Sequence, residues 1–143
     1  MDLRKQLLRA IHLAIGAHGE QKDRYGQPYI GHCFRVMNAG NTLEEKIVGV
    51  LHDVLEDTKL TIGNLLFEGF SEEVVDAVHT LTKLKNEDYD HYLKRVKRNA
   101  LAMGVKLNDL IDNMDLTRLE TITEDDVLRM QKYLDAYNEL ANK

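Results

Sequence analysis

The sequence predicts an all-α fold, a bundle of about seven to eight helices that forms one domain over residues 1–143. Apolar residues recur at helical spacing through most of the chain, and no stretch shows the two-residue alternation of a half-buried strand. Thr or Ser stands just before several of these stretches, where a side-chain hydroxyl caps the first turn of a helix. With 143 residues, the chain is long enough to bury a core without disulfide support.

The N-terminal part predicts two helices that are joined by a polar connection. The first helix is expected over residues 2–18. Its apolar face consists of Leu3, Leu7, Ile11 and Ala14. The connection over 19–30 contains the only proline, Pro28, and we expect this turn to orient the segment that follows. A short helix is then predicted from near Gly31 to Gly40, a residue type that commonly follows the end of a helix.

The middle of the chain predicts three capped helices. Thr42 is expected to cap a helix that runs without interruption to Asp57, with acidic residues in its positively polarised first turn. Thr61 and Ser71 are expected to cap two further helices. Between them, Gly69 is expected to end the first of the two.

Three more helices are predicted in the C-terminal part, over 89–99, 100–119 and 124–141. Gly104 is expected to mark either a break or a close helix crossing in the second of them. Thr123 and Asp126 have the spacing of a capping box at the start of the last helix.

Composition narrows the classes of partner and compartment. The net charge is −5, which disfavours binding to a nucleic-acid polymer but leaves room for a small anion in a locally basic pocket. The single cysteine, Cys33, is expected to be a small buried residue in a reducing compartment, so we expect a cytoplasmic protein. No segment has the length and apolarity of a membrane span, and oligomeric state is not predicted.

The most informative motif is a His-Asp pair followed by a Glu-Asp pair within an apolar run. On one continuous helix, His52, Asp53, Glu56 and Asp57 would share an arc of about 140° and could line a single cavity. Charged groups in an apolar setting are costly unless they are paired or face a cation. The motif therefore predicts a metal site, although a solvated helix end is the alternative.

A complete metal site needs further ligands from elsewhere in the chain. His32 at the start of a short helix and Asp109 in another apolar stretch are the candidates, with Asp112 and Asn113 on the same helix face as Asp109. Taken alone, His32 is more often a capping or core histidine. Asp109 could instead form a surface ion pair with Lys106 or Arg118.

These residues resemble the H…HD…D pattern of HD-domain metal-dependent phosphohydrolases, and an ordered set of motifs resembles the hydrolase domain of RelA/SpoT-type proteins. The resemblance extends over about residues 10–140. The matching motifs are Ala17-His18, Gly26-x-Pro28-Tyr29-Ile30-x-His32, Leu51-His52-Asp53-Val54-x-Glu56-Asp57-Thr58, Leu81-Thr82-Lys83 and Val105-Lys106-Leu107-x-Asp109. By its length, the chain is expected to be a stand-alone hydrolase domain of the small alarmone hydrolase kind.

The resemblance implies one divalent metal ion, usually manganese in this family, with Fe²⁺ or Co²⁺ also suited to such ligands. The implied metal ligands are His32, His52, Asp53 and Asp109. Glu56 is then the leading acid/base candidate and Asp57 its positioning partner, although which of them accepts the proton is left open.

The implied substrate is guanosine 3′,5′-bis(diphosphate), with Arg24, Asn113 and Tyr133 as contacts to the nucleotide. The pattern departs from the family at four positions: Asp23, Leu110, Asp112 and Asp115. A carboxylate at Asp23 is expected to repel phosphate or to accept hydrogen bonds from a base. These changes leave two alternatives open: hydrolysis of another phosphorylated nucleotide, such as a nucleoside monophosphate or NADPH, and a non-catalytic nucleotide-binding HD module.

Overall fold

The computed structural model describes residues 1–142, which form nine α-helices and one short 3-10 helix. In chain order the α-helices are α1 Leu3–His18, α2 Ile30–Ala39, α3 Leu43–Leu51, α4 Val54–Asp57, α5 Ile62–Phe67, α6 Glu72–Thr80, α7 Tyr89–Lys97, α8 Ala100–Asn113 and α9 Glu124–Leu140; the 3-10 helix is Leu116–Arg118. The described residues contain no strand, so the all-α prediction is confirmed. None of these helices is both long and apolar enough to cross a membrane.

Helix α3 lies at the centre of the bundle and packs against α1, α2, α6 and α8. Five consecutive residues of α3, from Ile47 to Leu51, are buried, as expected for a helix that other helices surround. At Gly49 the backbone of α2 comes so close that an added Cβ would lie 3.1 Å from Met37 Cα. This crossing places the start of α2 beside the end of α3.

The hydroxyl caps that the sequence predicts are present. Thr42, Thr61 and Ser71 each accept a hydrogen bond from the backbone N–H three residues on. Thr123 and Asp126 form the expected reciprocal box. The caps define where these helices begin, and their agreement with the sequence explains why the helix starts are well predicted.

Two predicted helices are wrong in extent. The helix from Thr42 does not run to Asp57, because the chain leaves helical geometry at Asp53, where φ is −106° and ψ is 2°. The helix over 100–119 ends at Asn113, since the carboxylate of Asp115 accepts hydrogen bonds from the backbone and hydroxyl of Thr117 and so starts the 3-10 helix. Gly104 neither breaks α8 nor lies at a tight crossing, since an added Cβ would meet only the Glu45 side chain, at 3.7 Å.

Candidate active site

Four side chains from three helical regions converge at one buried point. His32 lies near the start of α2, His52 and Asp53 form the break between α3 and α4, and Asp109 lies in α8. His52 Nε2 is 2.9 Å from Asp53 Oδ2 and 3.3 Å from Asp109 Oδ1, and His32 Nε2 is 2.9 Å from Asp109 Oδ1 and 4.0 Å from Asp53 Oδ2. The structure therefore brings together all four residues that the sequence identifies as metal ligands.

The break at Asp53 makes this convergence possible. On a continuous helix, adjacent side chains diverge by about 100°, so His52 and Asp53 would not point at the same atom. Because the backbone turns there, the Asp53 carboxylate lies beside the His52 imidazole, and the Tyr29 hydroxyl donates a hydrogen bond to Asp53 Oδ2. Tyr29, which lies in the turn before His32, therefore supports a predicted ligand directly.

The hydrogen bonds of the two imidazoles decide which nitrogen is free. His52 Nδ1 lies 2.6 Å from the Gly49 carbonyl oxygen, and His32 Nδ1 lies 2.6 Å from Asp112 Oδ2. A carbonyl oxygen and an ionised carboxylate only accept hydrogen bonds, so each Nδ1 carries a proton and Nε2 is the nitrogen left for a metal ion. Each Nε2 faces carboxylate oxygens, which only accept, so the position between them calls for a proton on Nε2 or for a metal ion.

This set of acceptors fits a metal ion. His52 is only 3% exposed, and its Nε2 makes no hydrogen bond of good geometry within the described residues, although carboxylate oxygens lie close to it. One nitrogen of His32, one of His52 and one oxygen of Asp109 all lie within 4.8 Å of one another. A metal ion at this point would be coordinated by the two Nε2 atoms and the carboxylate oxygens, in place of protons on the imidazoles.

The electrostatics agree with a cation site. Burial acts to lower the pKa of His52, but the carboxylates of Asp53 and Asp109 outweigh burial and hold that pKa well above its ordinary value. Burial acts to raise the pKa of Asp109, but the Lys106 ammonium, 2.8 Å from Oδ2, and the two imidazoles hold it well below its ordinary value. The cluster therefore attracts positive charge, whether as protons or as a metal ion.

The two remaining acidic residues of the motif lie in different surroundings. Glu56 shares a cavity of about 100 Å³ with His52 and Asp53, and its Oε1 accepts a hydrogen bond from Lys83 N at 2.9 Å. Asp57 instead lines the neighbouring cavity of about 630 Å³. The expectation that all four side chains of the motif line one cavity is therefore wrong, since the helix that would align them is broken.

Both carboxyl groups have a raised pKa. Burial, together with the negative charges of Asp53 and Asp57, raises the pKa of Glu56 above that of an ordinary glutamate, although the Lys83 hydrogen bond opposes the shift. Burial and the charge of Asp53 raise the pKa of Asp57 in the same way. A raised pKa brings a carboxylate closer to the range in which it exchanges protons near neutral pH.

A third cavity, of about 280 Å³, opens beside His32. Arg24, Asn113 and Tyr133, the residues predicted to contact a nucleotide, all line it. It shares Asp23, Tyr25 and Arg118 with an adjoining cavity of about 480 Å³. Asn113 also donates a hydrogen bond to Asp109 Oδ1 at 3.2 Å, so one side chain joins the cavity to the His/Asp cluster.

Two departures from the family pattern have structural partners. The Asp23 carboxylate accepts hydrogen bonds from two backbone N–H groups of its own turn and from Arg118 at 2.8 Å. These three hydrogen bonds hold the carboxylate against its own turn and Arg118, while Asp23 also lines the cavity beside His32. The expectation that Asp23 repels a phosphate or binds a base stays a prediction. Asp112, which the sequence indicates only as a residue on the Asp109 face, accepts hydrogen bonds from His32, Arg35 and Arg118.

Comparisons with known proteins agree with this geometry. No family model matches the chain. The chain is 34% identical over 122 residues to a guanosine-3′,5′-bis(diphosphate) 3′-pyrophosphohydrolase of Aquifex aeolicus, which covers 77% of this chain and 17% of that protein. It is 32% identical over 123 residues to a probable enzyme of the same name from Synechocystis, covering 76% of this chain and 16% of that protein. The chain thus spans only about a sixth of the length of these relatives.

A solved structure shares the fold. A metazoan ortholog of SpoT that hydrolyzes ppGpp superposes with a TM-score of 0.75 at 21% identity, over 94% of this chain and 84% of that one. The solved structure shows the fold, and the sequence relatives show that the chain belongs to the HD-type domains. Within that class, the sequence matches place the chain among the RelA/SpoT-type HD domains.

Proposed function

We propose that this chain is a metal-dependent phosphohydrolase of a nucleotide, and that it releases pyrophosphate from the 3′ position of guanosine 3′,5′-bis(diphosphate). One observation carries the proposal: the Nε2 atoms of two imidazoles and two carboxylates meet at a buried point beside the cavity that Arg24, Asn113 and Tyr133 line. The names of the curated relatives favour this substrate over other nucleotides.

His32, His52, Asp53 and Asp109 would hold the metal ion. We propose Mn²⁺, with Fe²⁺ or Co²⁺ as alternatives, because two imidazoles and two carboxylates suit these cations. When bound, such an ion lowers the pKa of a water molecule and offsets the negative charge of a phosphate group.

Glu56 is the proposed general base. Its Oε1 is held by the backbone N–H of Lys83, so Oε2 is the atom that accepts the proton from the attacking water. The raised pKa of Glu56 makes this transfer more favourable than for an ordinary glutamate. Asp57, the next residue of α4, is the proposed positioning residue. Its carboxylate interacts with His18 at the end of α1 and with Gln21 just after it, and these interactions orient the active-site turn.

The cavity beside His32 is the proposed nucleotide site. Neither Lys22 nor Arg24 forms an ion pair among the described residues, so both cations are available to phosphate oxygens. Tyr133 offers an aromatic face for the base, and the Asn113 amide can bind the nucleotide while it contacts Asp109.

A second substrate class has a specific observation in its favour. The other two arginines of the cavity are paired with carboxylates, Arg118 with Asp23 and Asp112, and Arg129 with Asp126. Fewer free cations favour a ligand with fewer phosphates, so a nucleoside monophosphate or NADPH is the alternative substrate.

The proposed setting is the cytoplasm, with a small phosphorylated nucleotide as the partner. Cys33 is buried and unpaired, as expected in a reducing compartment. The net charge of −5 disfavours a nucleic-acid polymer as the substrate.

The test is the release of pyrophosphate or phosphate by the purified, Mn²⁺-loaded protein from a panel that contains the alarmone, nucleoside monophosphates and NADPH. Pyrophosphate is the expected product from the alarmone, whereas nucleoside monophosphates and NADPH would release phosphate. We expect release from the alarmone and a loss of about 10²-fold or more in kcat for Glu56→Gln, since general-base catalysis typically contributes about 10²–10⁴. Glu73→Gln, an exposed change on α6, is the matched control. Turnover of another nucleotide instead would select the second class, and binding without any turnover would indicate a non-catalytic module.

A further inference from the structure

The carboxylate of Asp112 is outside the four proposed metal ligands but contacts one of them. Its Oδ2 lies 2.6 Å from His32 Nδ1, across 80 residues of sequence. The Asp112 side chain is only 10% exposed. The contact therefore joins α2 to α8 beside the proposed metal position.

Two arginines hold this carboxylate in place. Arg35, one turn after His32 in α2, donates from Nε to Oδ1 at 2.7 Å. Arg118, in the 3-10 helix, donates to Oδ2 at 3.2 Å. Because a buried carboxylate must be paired, these two contacts both compensate its charge and fix its orientation toward the imidazole.

We propose that Asp112 is a positioning residue of the metal centre: its carboxylate holds the Nδ1 proton of His32, aims Nε2 at the metal position and makes this imidazole a stronger ligand. The inference rests on the proposed function, since it requires the metal centre. Histidine ligands of metals usually donate their other N–H to a carboxylate or a carbonyl, and the loss of that partner typically costs about 10–100-fold in metal affinity or activity.

The two imidazoles of the site are supported by different acceptors. His52 Nδ1 has a neutral backbone carbonyl, that of Gly49, whereas His32 Nδ1 has an ionised carboxylate. A charged acceptor makes a hydrogen bond roughly twice as strong as a neutral one. We therefore infer that His32 is the better electron donor of the two, and that its strength depends on Asp112 specifically.

The same arrangement connects the metal centre to the wall of the nucleotide cavity. The Arg118 guanidinium also binds Asp23 at 2.8 Å and lies 5.0 Å from the centre of the Tyr25 ring. Asp112 and Arg118 thus form an ion-pair network that orients the cavity turn and His32 together.

The test is calorimetric titration of metal-free protein with Mn²⁺. For Asp112→Ala we expect about 10–100-fold weaker binding, and for Asp112→Asn a smaller loss, because the amide oxygen still accepts the Nδ1 proton without a charge. Asp115→Asn is the matched control, since this carboxylate three residues on binds Thr117 instead of a ligand. Unchanged Mn²⁺ affinity in both Asp112 variants would overturn the inference.

A spectroscopic readout separates positioning from general stability. In zinc-loaded protein, which is diamagnetic, long-range ¹H–¹⁵N spectra should report a protonated Nδ1 on His32 and a changed Nδ1 signal in both Asp112 variants but not in Asp115→Asn. A His32 signal that is the same in all four proteins would also overturn the inference. Mn²⁺ binding without pyrophosphate release would refute the proposed function alone, whereas an unaltered protein that binds no metal would overturn both.

Discussion

Gly49 lies at the helix crossing that sets the distance between the two histidines. A Cβ there would stand 3.1 Å from Met37 Cα, 3.2 Å from Met37 N and 3.2 Å from Val36 C, all backbone atoms of α2. Backbone atoms cannot rotate away, so a methyl group at this position must push α2 outward by a few tenths of an ångström. Since α2 carries His32 and α3 leads to His52, we predict that Gly49→Ala disturbs both stability and the metal centre.

Helix propensity and overpacking have opposite effects on the free energy of unfolding of Gly49→Ala. Alanine is favoured over glycine in a helix interior by about 1 kcal/mol. Overpacking of a tight contact costs about 1–3 kcal/mol. The net change in the free energy of unfolding for Gly49→Ala is therefore a loss of about 0–2 kcal/mol.

Gly16→Ala is the matched control, because Gly16 lies within α1 and a Cβ there has nothing within 4 Å. This variant should retain only the propensity gain and be stabilised by about 1 kcal/mol. The difference between the two variants then isolates the overpacking term, about 1–3 kcal/mol.

Urea unfolding of the metal-free proteins measures these changes, and Mn²⁺ calorimetry measures the effect on the site. We expect weaker Mn²⁺ binding for Gly49→Ala and an unchanged affinity for Gly16→Ala. The reasoning would be refuted by equal stabilisation of the two variants, since that result would mean that the crossing has room for a methyl group.

Three further predictions concern the site. Burial and the charge of Asp53 raise the pKa of Glu56, so this base is protonated, and activity is lost, as pH falls through a value above that of an ordinary glutamate. The acid limb of the kcat profile should therefore lie above about pH 4.3 and be absent in Glu56→Gln, and a limb at the ordinary value would contradict this assignment. Arg24→Ala should raise the KM for the alarmone without changing Mn²⁺ affinity, as kinetics and calorimetry would show, and an unchanged KM would remove Arg24 from the nucleotide site. Protein at a Mn²⁺ concentration about 100-fold above Kd should lose about 2.7 kcal/mol in the free energy of unfolding when a chelator removes the metal. Urea unfolding measures this loss, and equal stability in both conditions would argue against metal binding to the folded state.

Much of the fold depends on interactions between residues that are close together in the sequence. Each hydroxyl cap, such as Thr42 or Ser71, acts on a backbone N–H three residues away, and an apolar stripe reflects the period of a single helix. These interactions are readable in sequence because their partners are neighbours in the chain. The all-α prediction and most helix starts are confirmed for this reason, as is the resemblance to RelA/SpoT-type proteins, which depends on motif order and spacing.

The sequence by itself determined the helical class, the family and the residues to examine, while their roles in binding and catalysis remain predictions. Only the tertiary structure decided how those residues meet. The break at Asp53 turns its carboxylate toward His52, and partners as far apart as His32 and Asp112 come into contact across 80 residues. No local pattern encodes such contacts, because they arise when α2, α3 and α8 pack around one core and their buried polar groups must find partners.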